Sequence, residues 1–185
     1  MVTETSIVNI ALRRLGLEAI ENLSDENNRA EVMNDLYHQV RKATLEEFLW
    51  PFAIKRKSLC LDAGEIPAFE YTKAHELPCD YIRAISEFDD NTYVREGEFI
   101  LSDSDTIKLK YISDVTDPTK FNPLFTKVFY LMLSMEASYS LVQDKALLKG
   151  LSEEIILAFS SARVHASQES TPIDYEINDF LNPRF

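Results

Sequence analysis

The chain has 185 residues, 45% of them hydrophobic and 27% charged, with a formal net charge of −12 and a pI of about 4.7. That balance suits one compact domain, or one domain with a sizeable insertion, and excludes a disordered polyelectrolyte. The acidity argues against a dedicated DNA- or RNA-binding surface, and four glycines supply neither a P-loop nor a dinucleotide fingerprint.

The N-terminus carries Glu4 early and its basic pair, Arg13 and Arg14, late. This is the wrong order for a signal peptide and predicts a chain that stays where it is made. Ile7, Val8, Ala11, Leu12 and Leu15 recur at helical spacing until Gly16 stops the run. After a short loop in which Leu17, Ile20 and Leu23 dip inward, Asp25 is the expected N-cap of a second helix. Its apolar face runs through Ala30, Met33, Leu36, Tyr37, Val40, Ala43, Thr44 and Phe48, and Pro51 ends it.

From Phe52 the pattern shortens to alternating runs rich in Ile, Leu, Phe and Tyr, separated by turn-formers such as "DAGEIP", "FDDN" and "SDSD". Glu96-Gly97 falls where a hairpin needs a positive φ. Residues 52–115 therefore read as a small antiparallel sheet. Asn122-Pro123, a cap followed by proline at the first helical position, opens a third helix. Its stripe runs through Leu124, Val128, Leu131, Met132, Met135, Tyr139 and Val142. A break at Gln143-Asp144 precedes a last helix to about Ser167, bearing Leu147, Leu148, Leu151, Ile155, Ala158, Phe159 and Ala162.

Helical pairs at both ends must meet to bury their stripes. The expected fold is α+β, a four-helix bundle with an inserted small antiparallel β-sheet and an extended C-terminal tail. Its parts would be an N-terminal helical pair (1–51), a β region (52–116), a C-terminal helical pair (117–169) and a tail (170–185).

Few residues suggest chemistry. The histidines are His38, His75 and His165, and the cysteines Cys60 and Cys79. Zinc recruits closely spaced cysteine pairs, and a Cys–His nucleophile needs an oxyanion hole; the chain shows neither pattern. The structural reading packs Cys60 and Cys79 in the sheet, with His75 on its rim. The acidic pairs Glu46-Glu47, Asp89-Asp90 and Glu153-Glu154 read as solvated faces before they read as a glycosidase couple. No catalytic residue, cofactor or metal is expected. Arg41, Lys42, Lys55, Arg56 and Lys57 flank the single tryptophan, Trp50. Basic residues among aromatics can contact nucleic acid. In so acidic a chain the favoured reading is that Trp50, Pro51 and Phe52 anchor a helix-to-strand corner while the charges meet acidic neighbours.

The ordered segments "ALRRLGLEAIENL", "LEEFLWPF", "HELPCDYIRAI" and "DVTDPTKFNPLF" resemble the head-to-tail adaptor (tail tubular protein A-like) family of short-tailed bacteriophages. The positions that carry the likeness are Leu15, Gly16, Ile20, Leu23, Asp25, Trp50, Phe52, Leu77, Pro78, Asp80, Tyr81, Arg83, Asp117, Phe121 and Phe125, within about residues 7–142. The bulky "YLMLSMEASYS" departs from the more alanine-rich third helix of that family. The resemblance implies a virion protein without enzymatic activity, assembled from the host cytoplasm into a homo-oligomeric ring of about twelve subunits. That ring would join the portal protein at the capsid vertex to the tail nozzle protein or fibres and form part of the channel that DNA crosses. Trp50, Phe52, Arg56, Tyr81, Arg83, Phe121 and Phe125 would be subunit-interface or corner anchors.

The tail "TPIDYEINDFLNPRF" alternates Ile173, Tyr175 and Ile177 with Asp174, Glu176 and Asn178, then adds Phe180, Leu181 and Phe185. Such a segment suits strand addition to a sheet edge or a groove. Its apolar residues are expected to dock on the portal or a neighbouring subunit; the alternative folds the tail onto its own helices. Two other functions stay open at this level: a cytosolic helical interaction or nucleic-acid-binding module, and a carboxylate-dependent cell-wall hydrolase.

Overall fold

The computed structural model describes residues 2–60, 67–85 and 93–169. Helix α1 (Glu4–Arg14) begins at a reciprocal capping box between Thr3 and Ser6, and Gly16 adopts φ +73 just beyond its end. Helix α2 (Asn28–Glu47) is capped by Asn27, whose side chain accepts from the Ala30 N–H. The expected cap, Asp25, instead accepts from the N–H groups of Glu21 and Asn22 and closes the preceding loop. Asn122 caps α3 (Pro123–Leu141), with proline in the first turn. Helix α4 (Lys145–Glu169) completes the helices.

Six strands lie between α2 and α3: β1 (Ile54–Cys60), β2 (Lys73–Glu76), β3 (Tyr81–Ala84), β4 (Val94–Glu96), β5 (Phe99–Ser102) and β6 (Thr106–Ser113). They form two three-stranded antiparallel sheets, ordered β1-β6-β3 and β2-β5-β4. Gly97, at φ +56, turns the β4-β5 hairpin where the sequence places it.

The bundle with one inserted sheet is overturned: among the described residues, four helices and two sheets are interleaved. Helices α1, α2 and α4 each pack on α3, while β3 and β6 lie against α2. Ile54, Ile82, Ile85, Ile112 and Val115 thereby enter the same apolar core as Met33, Tyr37, Phe125, Phe129 and Leu131. The cause is visible in α3, which buries Phe125, Val128, Phe129, Leu131, Leu133 and Ala137 and so is apolar well beyond one stripe. A helix of that kind must be covered from several sides, and a helical partner alone does not suffice.

Strand β6 belongs to two interiors. Ile112 faces the helical core, whereas Ile107, Leu109 and Tyr111 point to the other face and pack with Leu59 and Ile100. Period-two alternation places the two sets on opposite sides of the sheet.

Candidate functional site

The corner between α2 and β1 gathers the aromatic residues that the sequence singles out. Phe48 leaves the helix in an extended conformation, and a short 3-10 turn at Pro51–Ala53 redirects the chain into β1. The Trp50 indole N–H donates to the Thr44 carbonyl at 2.8 Å, satisfying an acceptor that the end of α2 leaves open. Phe125 meets Trp50 edge-on at 5.1 Å between ring centroids and Phe52 at 5.2 Å, and Phe121 lies 4.7 Å from Phe125. Trp50, Phe52, Phe121 and Phe125 thus converge from two distant stretches of chain. Trp50, Phe121 and Phe125 are buried, so they anchor the corner and have no surface to offer another subunit.

A second knot forms around Asp80. Its carboxylate accepts from the Lys55 ammonium and, at 3.0 Å, from the Tyr111 hydroxyl, while its carbonyl accepts from the Asp114 N–H at 2.7 Å. Burial pushes Asp80 up, but the hydrogen bonds from Lys55 and Tyr111 together outweigh it, and the carboxyl sits below the usual range. Tyr111 is pushed up to about 12 by burial, reinforced by its bond to Asp80, so its hydroxyl remains a donor. Tyr81 stacks on Tyr111 at 5.9 Å and carries the Arg95 guanidinium over its ring at 5.1 Å. Arg83 is exposed on β3, in register with Ile112.

The basic stretch read from the sequence divides. Arg41 is 2% exposed and grips Asp114 with three hydrogen bonds of 2.8–3.1 Å, while Lys42 lies 3.6 Å from the same carboxylate. Arg41 also donates to His38 Nδ1 at 2.9 Å, which holds that nitrogen as an acceptor. Lys55 is held by Asp80. Arg56 and Lys57 remain exposed, and β6 adds two cations that the sequence reading passed over. Arg56 pairs in register with Lys110, and Ser58 with Lys108. Directly paired residues share a face, so Arg56, Lys108 and Lys110 form one basic surface that continues outward from Ile54 and Ile112. The alternation "IKLKY" in β6 carried the signal. An open depression beside this surface is lined by Arg56, Lys57, Ser58, Lys108, Leu109 and Lys110.

An apolar surface lies elsewhere. Helix α4 turns Leu151, Ile155, Ala158 and Ala162 inward and leaves Ile156 and Leu157 exposed by 62% and 67%; Tyr139 on α3 is 58% exposed.

The residues weighed for catalysis are scattered. His75 is buried, not on a rim, with Nε2 3.0 Å from the Ser104 carbonyl; Cys79 is exposed, not packed in the sheet. Both reversals follow from β2, whose Ala74 and His75 are buried together, and from a turn at Cys79 that ends before β3. Cys60 ends β1. His38 and His165 are exposed, as are Glu46, Glu47 and Glu153, and Glu154 binds Arg14. Among the described residues, no three His, Cys, Asp or Glu side chains are grouped to hold a metal, and no helix is long and apolar enough to cross a membrane. Asp89 and Asp90 lie outside the described residues, as do the predicted docking residues Ile173, Tyr175, Ile177, Phe180, Leu181 and Phe185. No protein-family model matches the chain, and no curated protein matches it either.

Proposed function

We propose that the chain is a structural subunit of a head-to-tail adaptor ring, joining a phage portal to the tail nozzle or fibres around the DNA channel. The observation that carries this reading is the convergence of Trp50, Phe52, Phe121 and Phe125 in one corner. These residues carry part of the family resemblance and lie far apart in the sequence, yet they build a single structural element. Two unlike surfaces support it further: the basic face of the β1-β6-β3 sheet and the apolar outer side of α4 around Ile156 and Leu157. A closing ring is made by heterologous contacts, in which one surface of a subunit meets a different surface of the next. The net charge of −12 per subunit would give such a ring a field that repels DNA, easing its passage.

Electron microscopy of the full chain mixed with its portal protein tests the reading. The expected images show closed rings seated on the portal. Removing residues 171–185 should leave a folded chain that no longer attaches. Particles without rings at any mixing ratio, or portals left bare, would sink the proposal.

A further inference from the structure

We propose that copies of this chain join head to tail through charge: the basic face of β1 and β6 on one copy receives the acidic start of α2 on the next. The inference rests on the ring reading and supplies it with a contact.

The basic face is built by register. Arg56 pairs with Lys110 and Ser58 with Lys108, so Arg56 and Lys108 are diagonal neighbours on one side of the sheet. That places them about 7–8 Å apart at the backbone. The intervening Leu59, Ile107 and Leu109 are buried on the opposite side, against the second sheet. Arg56 and Lys108 are both exposed, and neither meets a carboxylate among the described residues.

Acids concentrate elsewhere. Residues 18–35 hold six carboxylates and one cation, Arg29, which binds Glu18. Glu21, Glu26, Glu31 and Asp35 are exposed and meet no cation among the described residues. Glu31 and Asp35 stand four residues apart on α2, which makes them neighbours on one side at about 5–6 Å. The two carboxylates and the two cations therefore have similar spacings, and one pair can span the other. The positive end of the helix dipole accounts for an acid in the first turn, Glu31, but its influence does not reach Asp35, a full turn further on. Like charges at that spacing oppose each other, and the cations of a second copy offset the opposition.

The charge of the whole chain favours this pairing over others. At −12, two copies repel wherever their average surfaces approach. Screening confines that repulsion to about 8 Å at physiological ionic strength, so the groups inside a contact decide its sign. Arg56 and Lys108 give a second copy a place to approach with attraction. No ion pair joins the two surfaces within one chain among the described residues. A contact between unlike surfaces leaves one of each open at the ends of a pair, so it repeats until a ring closes. DNA phosphates would match the cations alone and leave Glu31 and Asp35 unmet.

Sedimentation velocity on full-length chains tests the contact, with Arg56→Glu/Lys108→Glu as one charge-reversed protein and Glu31→Lys/Asp35→Lys as the other. Wild type should self-associate, and each reversal should weaken association by about tenfold or more. An equimolar mixture should restore it, and so should a chain carrying all four changes, because each again sets unlike charges face to face. A variant that merely failed to fold would not be rescued in this way. Association of either variant at wild-type strength overturns the contact and leaves the ring standing. Failure of the mixture or of the four-change chain to recover overturns it as well, since the two surfaces then do not meet. Loss of duplex DNA binding in Arg56→Glu/Lys108→Glu, with self-association unchanged, overturns it in favour of phosphate. A wild-type chain that stays monomeric up to millimolar concentration also overturns the contact. Electron microscopy with the portal then decides the ring separately: closed rings keep that reading, and bare portals end it.

Discussion

Among single residues, Asp80 ties two strands and the chain after β6 together. Its carboxylate holds Lys55 of β1 and Tyr111 of β6, and its carbonyl holds the chain at Asp114. Because its folded pKa is depressed, its contribution to stability is present above the ordinary aspartate value of about 3.9 and is lost as the pH falls through the lower folded value. Asp80→Asn should therefore lower unfolding stability by about 1–2 kcal/mol at pH 7. The gap between variant and wild type should narrow as the pH falls below the ordinary aspartate value of about 3.9 and through the lower folded one. Urea midpoints at pH 7 and across that fall check both statements. Equal gaps throughout would mean that the carboxylate's charge contributes nothing. The same residue shows what sequence reading can reach. "LPCDYIR" marked Asp80, Tyr81 and Arg83 as noteworthy, but nothing in that stretch named Lys55 or Tyr111, because contact across strands is set by register.

At the scale of elements, the link between α2 and the β1-β6-β3 sheet rests on Arg41 and Asp114. Breaking a buried ion pair from one side strands the other charge, so Arg41→Ala should cost about 3–5 kcal/mol. Replacing both, as Arg41→Met with Asp114→Leu, should recover most of it, since apolar groups of similar volume fill the site without a charge to bury. Thermal unfolding of the two proteins makes the comparison, and equal losses would contradict it. Helical phase made Arg41 legible in principle. It shares a face with Tyr37, Val40, Thr44 and Leu45, all buried, yet its charge led the sequence reading to group it with Arg56 and Lys57. The helices themselves were readable because caps and three-to-four spacing are local: Asn122-Pro123 opens α3 in the structure as in the sequence. Strands were readable as alternation, but division into two sheets was not. Alternation records which face a residue occupies and is silent on which strand lies next to it.

At the scale of the whole molecule, the expected bundle failed because the apolar face of β3 and β6 closes on α2, while α3 is apolar over enough of its surface to take α1, α2 and α4 around it. Ile112 of β6 and Val115 just beyond it enter the same core as the helices, which makes the β region an integral wall of that core and not an excursion from it. Native-state hydrogen exchange should accordingly find the amides of β6 among the last to exchange, opening only with global unfolding. Early exchange along Ile107–Ile112 with α3 still protected would show two independent bodies. Since β6 is rooted in both interiors, it acts mechanically as a spar. Tension applied to the sheet should reach α2 directly, and a pulling experiment should rupture the chain in one event. A chain built this way would carry load by moving as a block, with no need to stretch.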